Sequence, residues 1–222
     1  MSDILSQIKT FVARYVISRS AICMWKKRAK QYGPRAALNI GHSDAEIEAV
    51  TRMQKEKIFP LLKNELKGNE NTILDLGCGP GRFTPDLAEL IQGKAIGVDP
   101  IQDFLDMAPK HEDVEYRPMK ESTIPADDES VDIVWICLVL GGIIKTRVLR
   151  SIVSEVDRTL KPEGLLLLTE NTADAKDGAY WKFRSVEFYQ SLFGFAELKH
   201  FSDYYDLDER IPIMVGRNHL QP

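Results

Sequence analysis

The 222-residue chain has little cysteine, little histidine and no long apolar run. Its three cysteines, Cys23, Cys78 and Cys137, are odd in number and form no CxxC pair. This excludes a disulfide framework and favours a reducing compartment, so a cytoplasmic location is expected. The longest uncharged apolar stretch, Ile133–Ile144, has twelve residues, whereas a membrane-spanning helix needs about 20. It reads as a buried strand and its loop. The four histidines and the cysteines fall at no metal-ligand spacing, so no metal is expected. No signal-type apolar core follows the first basic residues, and Trp25-Lys26-Lys27-Arg28 is a poor cleavage region. GxxxxGK[ST] is absent, which excludes a nucleoside-triphosphate P-loop.

What is present is globular in composition, with 44% hydrophobic and 28% charged residues. The length allows one large domain, or one with a small appendage. Charge is uneven. Residues 1–40 hold eight Lys or Arg and one acid, a net +7 within a chain of net −4. Ile4, Leu5, Ile8, Phe11, Val12, Tyr15 and Val16 follow a helical period, with Lys9 and Arg14 among them. Such an amphipathic helix packs on its own domain or on a second subunit, or lies on an anionic membrane surface.

Ser43-Asp44 with Glu46 marks a helix start, and an apolar stripe carries that helix to about Leu66. From there strands and helices alternate. Strands are expected at Thr72–Leu76, Lys94–Val98, Val114–Arg117, Val131–Cys137 and Leu165–Thr169. Helices are expected at Thr84–Ile91, Ile101–Ala108 and Lys145–Leu160, with Lys161-Pro162-Glu163-Gly164 ending the last. Tyr180–Phe193 reads as a helix, and Ala196–Ser202 and Ile211–Gly216 as closing strands. The alternation implies an α/β, doubly wound, mostly parallel seven-stranded sheet with ligands at the carboxyl ends of its strands. Residues 1–70 read as a helical appendage or lid, and 71–222 as the domain proper.

The most informative segment is Asp75-Leu76-Gly77-Cys78-Gly79-Pro80-Gly81, between a strand and a helix. Alternate glycines allow a sharp turn and close approach of a ligand to the backbone. The spacing is GxGxG rather than the dinucleotide GxGxxG, and Pro80 removes an amide donor. Asp99 ends the next strand, where its carboxylate can accept two hydrogen bonds from a ribose diol; the bland reading is a helix cap.

These residues resemble the class I S-adenosylmethionine-dependent methyltransferases, in particular the small-molecule branch called type 11. Ile73–Phe83 is similar to the family's first motif and Gly97-Val98-Asp99 to its second. Pro125–Val134 resembles the stretch entering strand four, and Leu160–Gly164 the turn before strand five. The resemblance covers about residues 72–170 and implies a Rossmann-like methyltransferase fold that binds S-adenosylmethionine and releases S-adenosylhomocysteine. It implies that Asp75 and the backbone of Gly77, Cys78 and Gly79 hold the methionine part, Asp99 the ribose, and Pro100 or Ile101 the adenine. Cys137 would lie near the methionine amino group through its carbonyl. Two departures stand out. Met119-Lys120-Glu121 replaces the usual Gly-Asp-Ala, so Glu121, Ser122 or a main-chain group would meet the adenine. Gly141-Gly142 replaces a His-His pair and leaves room for a bulky substrate.

Methyl transfer to a hydroxyl needs a general base; a thiolate, carboxylate or neutral amine needs one less. Candidate bases are Glu170, at the end of strand five, and His42, in the loop before the first long helix. Asn171, Tyr180, Trp181 and Arg184 are placed to line the acceptor pocket, and Arg35 to meet the cofactor carboxylate; packing aromatics and surface charge are the bland alternatives. The expected acceptor is a small molecule: a sugar, a glycan precursor or a natural-product intermediate. Rival readings are a non-catalytic cofactor-binding partner, a nicotinamide oxidoreductase, and a methyltransferase of protein or nucleic acid. The absence of Asn/Asp-Pro-Pro-Tyr and of interleaved basic and aromatic residues speaks against nucleic acid.

Overall fold

The computed structural model describes residues 21–120 and 122–219. The amphipathic stretch at Ile4–Val16 and Glu121 lie outside them. Seven strands form one sheet in the order β3-β2-β1-β4-β5-β7-β6. They are β1 (Thr72–Leu76), β2 (Lys94–Asp99), β3 (Val114–Pro118), β4 (Val131–Cys137), β5 (Leu160–Thr169), β6 (Lys199–Asp206) and β7 (Glu209–Arg217). Only β7 runs against its neighbours. Strand order reverses between β1 and β4, which opens a crevice at their carboxyl ends.

Side chains alternate across each strand, so each strand feeds two cores. On one face Leu74, Val134, Ile136, Leu166 and Leu168 pack under α5 (Thr146–Thr159) and α6 (Val186–Leu192). On the other, Ile73, Ile133, Trp135 and Leu167 meet Ile58 and Leu62 of α2 (Ile47–Glu65) and Leu87 of α3 (Thr84–Ile91). The Trp135 ring lies 5.5 Å from Phe83 and 5.7 Å from Phe59. The Ser43 amide donates to Glu46 at 2.7 Å, closing the box that starts the α2 region.

Several boundaries differ from the sequence reading: β6 runs Lys199–Asp206 rather than Ala196–Ser202 and β7 Glu209–Arg217 rather than Ile211–Gly216, and β5, α6 and α4 differ as well. β5 starts at Leu160, not Leu165. The Asn218 amide donates to the carbonyls of Leu160 and Lys161, and its own carbonyl accepts from Glu163, so the expected turn is drawn into the sheet. α6 starts at Val186, not Tyr180, because Ser185 caps it by accepting from the Phe188 amide. Residues 180–185 instead form a loop on the crevice. α4 is a short helix, Gln102–Leu105, rather than Ile101–Ala108.

The chain before α2 lies over the crevice. Residues 21–32 form helix α1, followed by a tight turn, Gly33–Ala37. Ala29 and Ala36 pack on Ile101 and Phe104, with Ile22, Trp25 and Tyr32 around them. This covering segment is called the lid for its position alone.

Candidate active site

β1 delivers the chain into a loop in which Gly77, Gly79 and Gly81 take left-handed φ values of 70°, 54° and 72°. At Gly77 close approach adds to the requirement, since a Cβ would stand 2.6 Å from Val139. The amides of Gly77 and Cys78 both donate to the Val98 carbonyl, which ties the loop to β2. Asp75 accepts from the Thr84 hydroxyl at 2.6 Å; burial pushes its pKa up to about 7 against that hydrogen bond. Cys78 is buried beside the loop, and burial raises its thiol pKa.

Asp99 stands at the end of β2. One carboxylate oxygen accepts from the Ile101 amide at 2.8 Å, the other from the Gly79 amide at 3.1 Å. Burial raises its pKa to about 6. Each oxygen keeps lone-pair capacity for one more donor, which fits a vicinal diol. Pro100 is half-buried and Ile101 buried under the lid. Ala37 lies over Gly79, at 3.4 Å from where a Cβ would be. Ser122 is half-buried in the turn after β3, where the Thr123 amide donates to the Lys120 carbonyl.

At the end of β4, Cys137 accepts from the Thr169 hydroxyl at 3.3 Å, and burial pushes its thiol up to about 11. Leu138 follows in the left-handed region, φ 58°, a costly conformation for a leucine. The turn is clamped on both sides. Glu170 accepts from the amides of Val139, Leu140 and Gly141 at 2.7, 2.6 and 3.1 Å. Arg184 donates to the carbonyls of Leu140 and Ile143, both at 2.8 Å. Glu170 is wholly buried, which raises its pKa to about 7. Both of its oxygens thus hold the post-β4 turn, and Arg184 serves the same turn.

The room expected at Gly141-Gly142 is filled by the protein itself. A Cβ on Gly141 would overlap the indole of Trp181, and one on Gly142 would lie 3.4 Å from Trp25 of the lid. Gly141→Ala is therefore expected to lose about 1–3 kcal/mol by overpacking, while Gly142→Ala stays within about 0.5 kcal/mol. Thermal denaturation with tryptophan fluorescence checks both; equal effects would contradict this packing. Tyr180 is exposed at 41% and points out of this cluster.

The lid closes on the β6–β7 hairpin. His42, 7% exposed, places Nε2 2.5 Å from Asp206 Oδ1. Its Nδ1 has no hydrogen-bond partner and lies 3.6 Å from Glu46 Oε1. The ring thus lies between two carboxylates, Asp206 on one side and Glu46 on the other. Glu209 accepts from Asn39 at 2.8 Å and from Asn171 at 2.6 Å, joining the lid to the loop after β5. Gly41 sits against Leu207, which with Asp208 forms a turn at φ 49° and 65°. Arg35 is engaged within the lid: it pairs with Asp44 at 2.8 Å and donates to the His42 carbonyl at 3.0 Å.

The structure thus gathers Asp75, Gly77, Gly79, Asp99, Ile101 and Cys137 about one crevice, with His42 and Asn171 at its β6–β7 side. Sequence reasoning missed Asp206, Glu209 and Trp25. A short Asp-Leu-Asp-Glu turn between closing strands was the only signal for the first two.

Residues 73–164 match the family model described as a methyltransferase domain. An uncharacterized methyltransferase of Schizosaccharomyces pombe is 33% identical over 59% of this chain and 51% of its own. A thiol S-methyltransferase of Rattus norvegicus is 30% identical over 68% of this chain and 62% of its own. The chain thus spans about half the length of the first of these curated relatives. Among solved structures, Haemonchus contortus phosphoethanolamine N-methyltransferase 1, in complex with phosphoethanolamine and S-adenosylhomocysteine, has a TM-score of 0.68 at 16% identity. It covers 94% of this chain and 50% of the other. At that identity the likeness is one of fold.

Proposed function

Since the chain carries a class I S-adenosylmethionine-dependent methyltransferase domain, we propose that it methylates a small-molecule acceptor in the cytoplasm. The observation that carries this reading is the meeting of the left-handed glycine loop with Asp99 under a closed lid. Bound S-adenosylmethionine supplies a sulfonium methyl group already activated for transfer. The backbone of Gly77–Gly79, with Asp75 behind it, would hold the amino-acid part, and Asp99 the ribose hydroxyls. Ile101, beneath Ala29 and Ala36, would exclude water from the adenine side.

His42 is the better candidate base. Its Nδ1 is free of hydrogen bonds, whereas both Glu170 oxygens are taken by amides. Asp206 orients the ring and would stabilise the imidazolium after proton uptake. A crevice enclosed by the protein's own indoles supports a compact acceptor rather than a polymer. The rat relative, by its name, methylates thiols, which is in keeping with a small acceptor.

Calorimetric titration with S-adenosylhomocysteine tests the cofactor, with NAD as control; the former alone is expected to bind. Asp99→Ala should weaken that binding about tenfold or more, since the diol loses its acceptor. Affinity should also rise with pH through about 6, as the carboxylate ionises and becomes the stronger acceptor. Unchanged affinity and a flat pH series would remove Asp99 from the site. A panel of thiols, phenols and amines, read by S-adenosylhomocysteine release, then tests the acceptor class.

A further inference from the structure

Between Asp3 and Asp44 the chain has no acidic residue and eight Lys or Arg, within a protein that holds 33 acids in all. Packing of α1 sorts these charges. Ile22, Trp25 and Tyr32 turn inward with Ala29 onto Ile101 and Phe104. Arg28 is drawn in as well, donating to the carbonyls of Ala36 and Leu38 at 3.0 and 2.9 Å. Arg35 pairs with Asp44. Lys26, Lys27 and Lys30 are left, all three exposed. They have neither ion pair nor hydrogen bond among the described residues. Lys30 stands four and three residues beyond the other two, so the three form one patch on the side of α1 away from its packed face. Lys26 and Lys30, at i, i+4, repel each other, a cost that an anionic surface reverses.

The lid ends in an apolar point. Ile40 is 67% exposed, the most exposed of the large apolar side chains described. Leu207, also exposed, reaches the same turn against Gly41. Of the acids at this turn, Asp44 is held by Arg35, and Glu209 accepts from Asn39 and Asn171; Asp208 is exposed beside Leu207. The lysines therefore carry the attraction, and the turn supplies apolar contact. The chain before α1 adds Lys9, Arg14 and Arg19, with the apolar period of Ile4–Val16. Cations at headgroup level beside apolar side chains at the acyl boundary are the makings of a lipid-surface contact. Single-stranded nucleic acid fits less well. Trp25 and Tyr32, the aromatics of α1, are turned inward and offer no face to a base.

We infer that the outer face of α1, continued by the basic chain before it and by Ile40, docks on an anionic lipid bilayer and holds the covered crevice at the membrane surface. The inference goes beyond the methyl-transfer reading and does not depend on it.

The test is co-sedimentation of the full chain, at low salt, with two kinds of vesicle: phosphatidylcholine alone, and equimolar phosphatidylglycerol and phosphatidylcholine. The anionic vesicles are expected to carry the protein down, and the neutral ones to leave most of it in solution. Replacing Lys26, Lys27 and Lys30 together by Gln should weaken partitioning about a hundredfold, at roughly fivefold for each cation. Added salt should loosen the unaltered protein more than this variant. Ile40→Ser should weaken partitioning several-fold through lost apolar contact. The substituted side chains are exposed, so melting temperatures should match that of the unaltered protein. No association with the anionic vesicles, or the same association in the lysine variant, overturns the inference. So does equal association with neutral vesicles. Retention on a single-stranded oligonucleotide without retention on vesicles also overturns it, and would assign the basic run to nucleic acid. Failure of S-adenosylhomocysteine to bind would leave these results untouched and count only against the methyl-transfer reading.

Discussion

Replacing Glu170 by alanine should destabilise the protein by on the order of 4 kcal/mol, because three buried amide donors lose their acceptor at once. Those amides belong to Val139, Leu140 and Gly141, which the carboxylate now holds between 2.6 and 3.1 Å. The left-handed Leu138 loses its tether with them. Urea denaturation of both proteins measures the difference, and Glu170→Gln, which keeps one acceptor oxygen, should fall between. The difference should depend on pH. The folded pKa of Glu170, about 7, lies above the ordinary carboxylate value, so the folded state binds the extra proton between roughly pH 4.5 and 7. Its contribution is then fully present below about 4.5 and declines as pH rises toward 7. Asp75 and Asp99, also raised by burial, act in the same direction. Near-equal stability of the alanine variant would show that water replaces the carboxylate at no cost.

His42→Gln should lower kcat by about 10²–10⁴-fold for a hydroxyl or thiol acceptor, the ordinary worth of a placed general base. Cofactor binding should change little, since His42 faces Asp206 and Glu46 rather than the glycine loop. Asp206→Asn should cause a smaller loss, because it leaves the imidazole present and only less well oriented. Single-turnover measurements with saturating cofactor separate these outcomes. A variant with unchanged kcat and a lower melting temperature would make His42 a clasp of the lid and nothing more.

Legibility in the sequence followed the range of the contacts involved. β1, the glycine loop and α3 were readable because adjacent residues decide them: an apolar run, glycines where φ must be positive, and Pro85 in the first helical turn. Asp75 and Asp99 were readable for the same reason, each sitting at a strand end marked by its neighbours. The start of β5 was not, because Asn218 decides it from the far end of β7. α6 was extended too far because the aromatic content of 180–185 suits a helix, while the nearby Ser185 cap that starts it at Val186 was overlooked. Gly141 and Gly142 looked like vacant space until Trp181 and Trp25 were brought to them from other segments. Glu170 was readable as a candidate base or a loop cap, but the three amides that bind it were not, because they belong to a turn some 30 residues earlier.

The clasp between His42 and Asp206 joins residues 164 positions apart. The ribosome therefore delivers the glycine loop, Asp99 and the lid well before it delivers the hairpin that secures them. A nascent chain ending before β6 would contain every residue assigned here to the cofactor, yet nothing for Asn39 or His42 to close upon. The enclosed crevice is thus a product of the last strands to be synthesised, completed only after every cofactor contact is already in the chain.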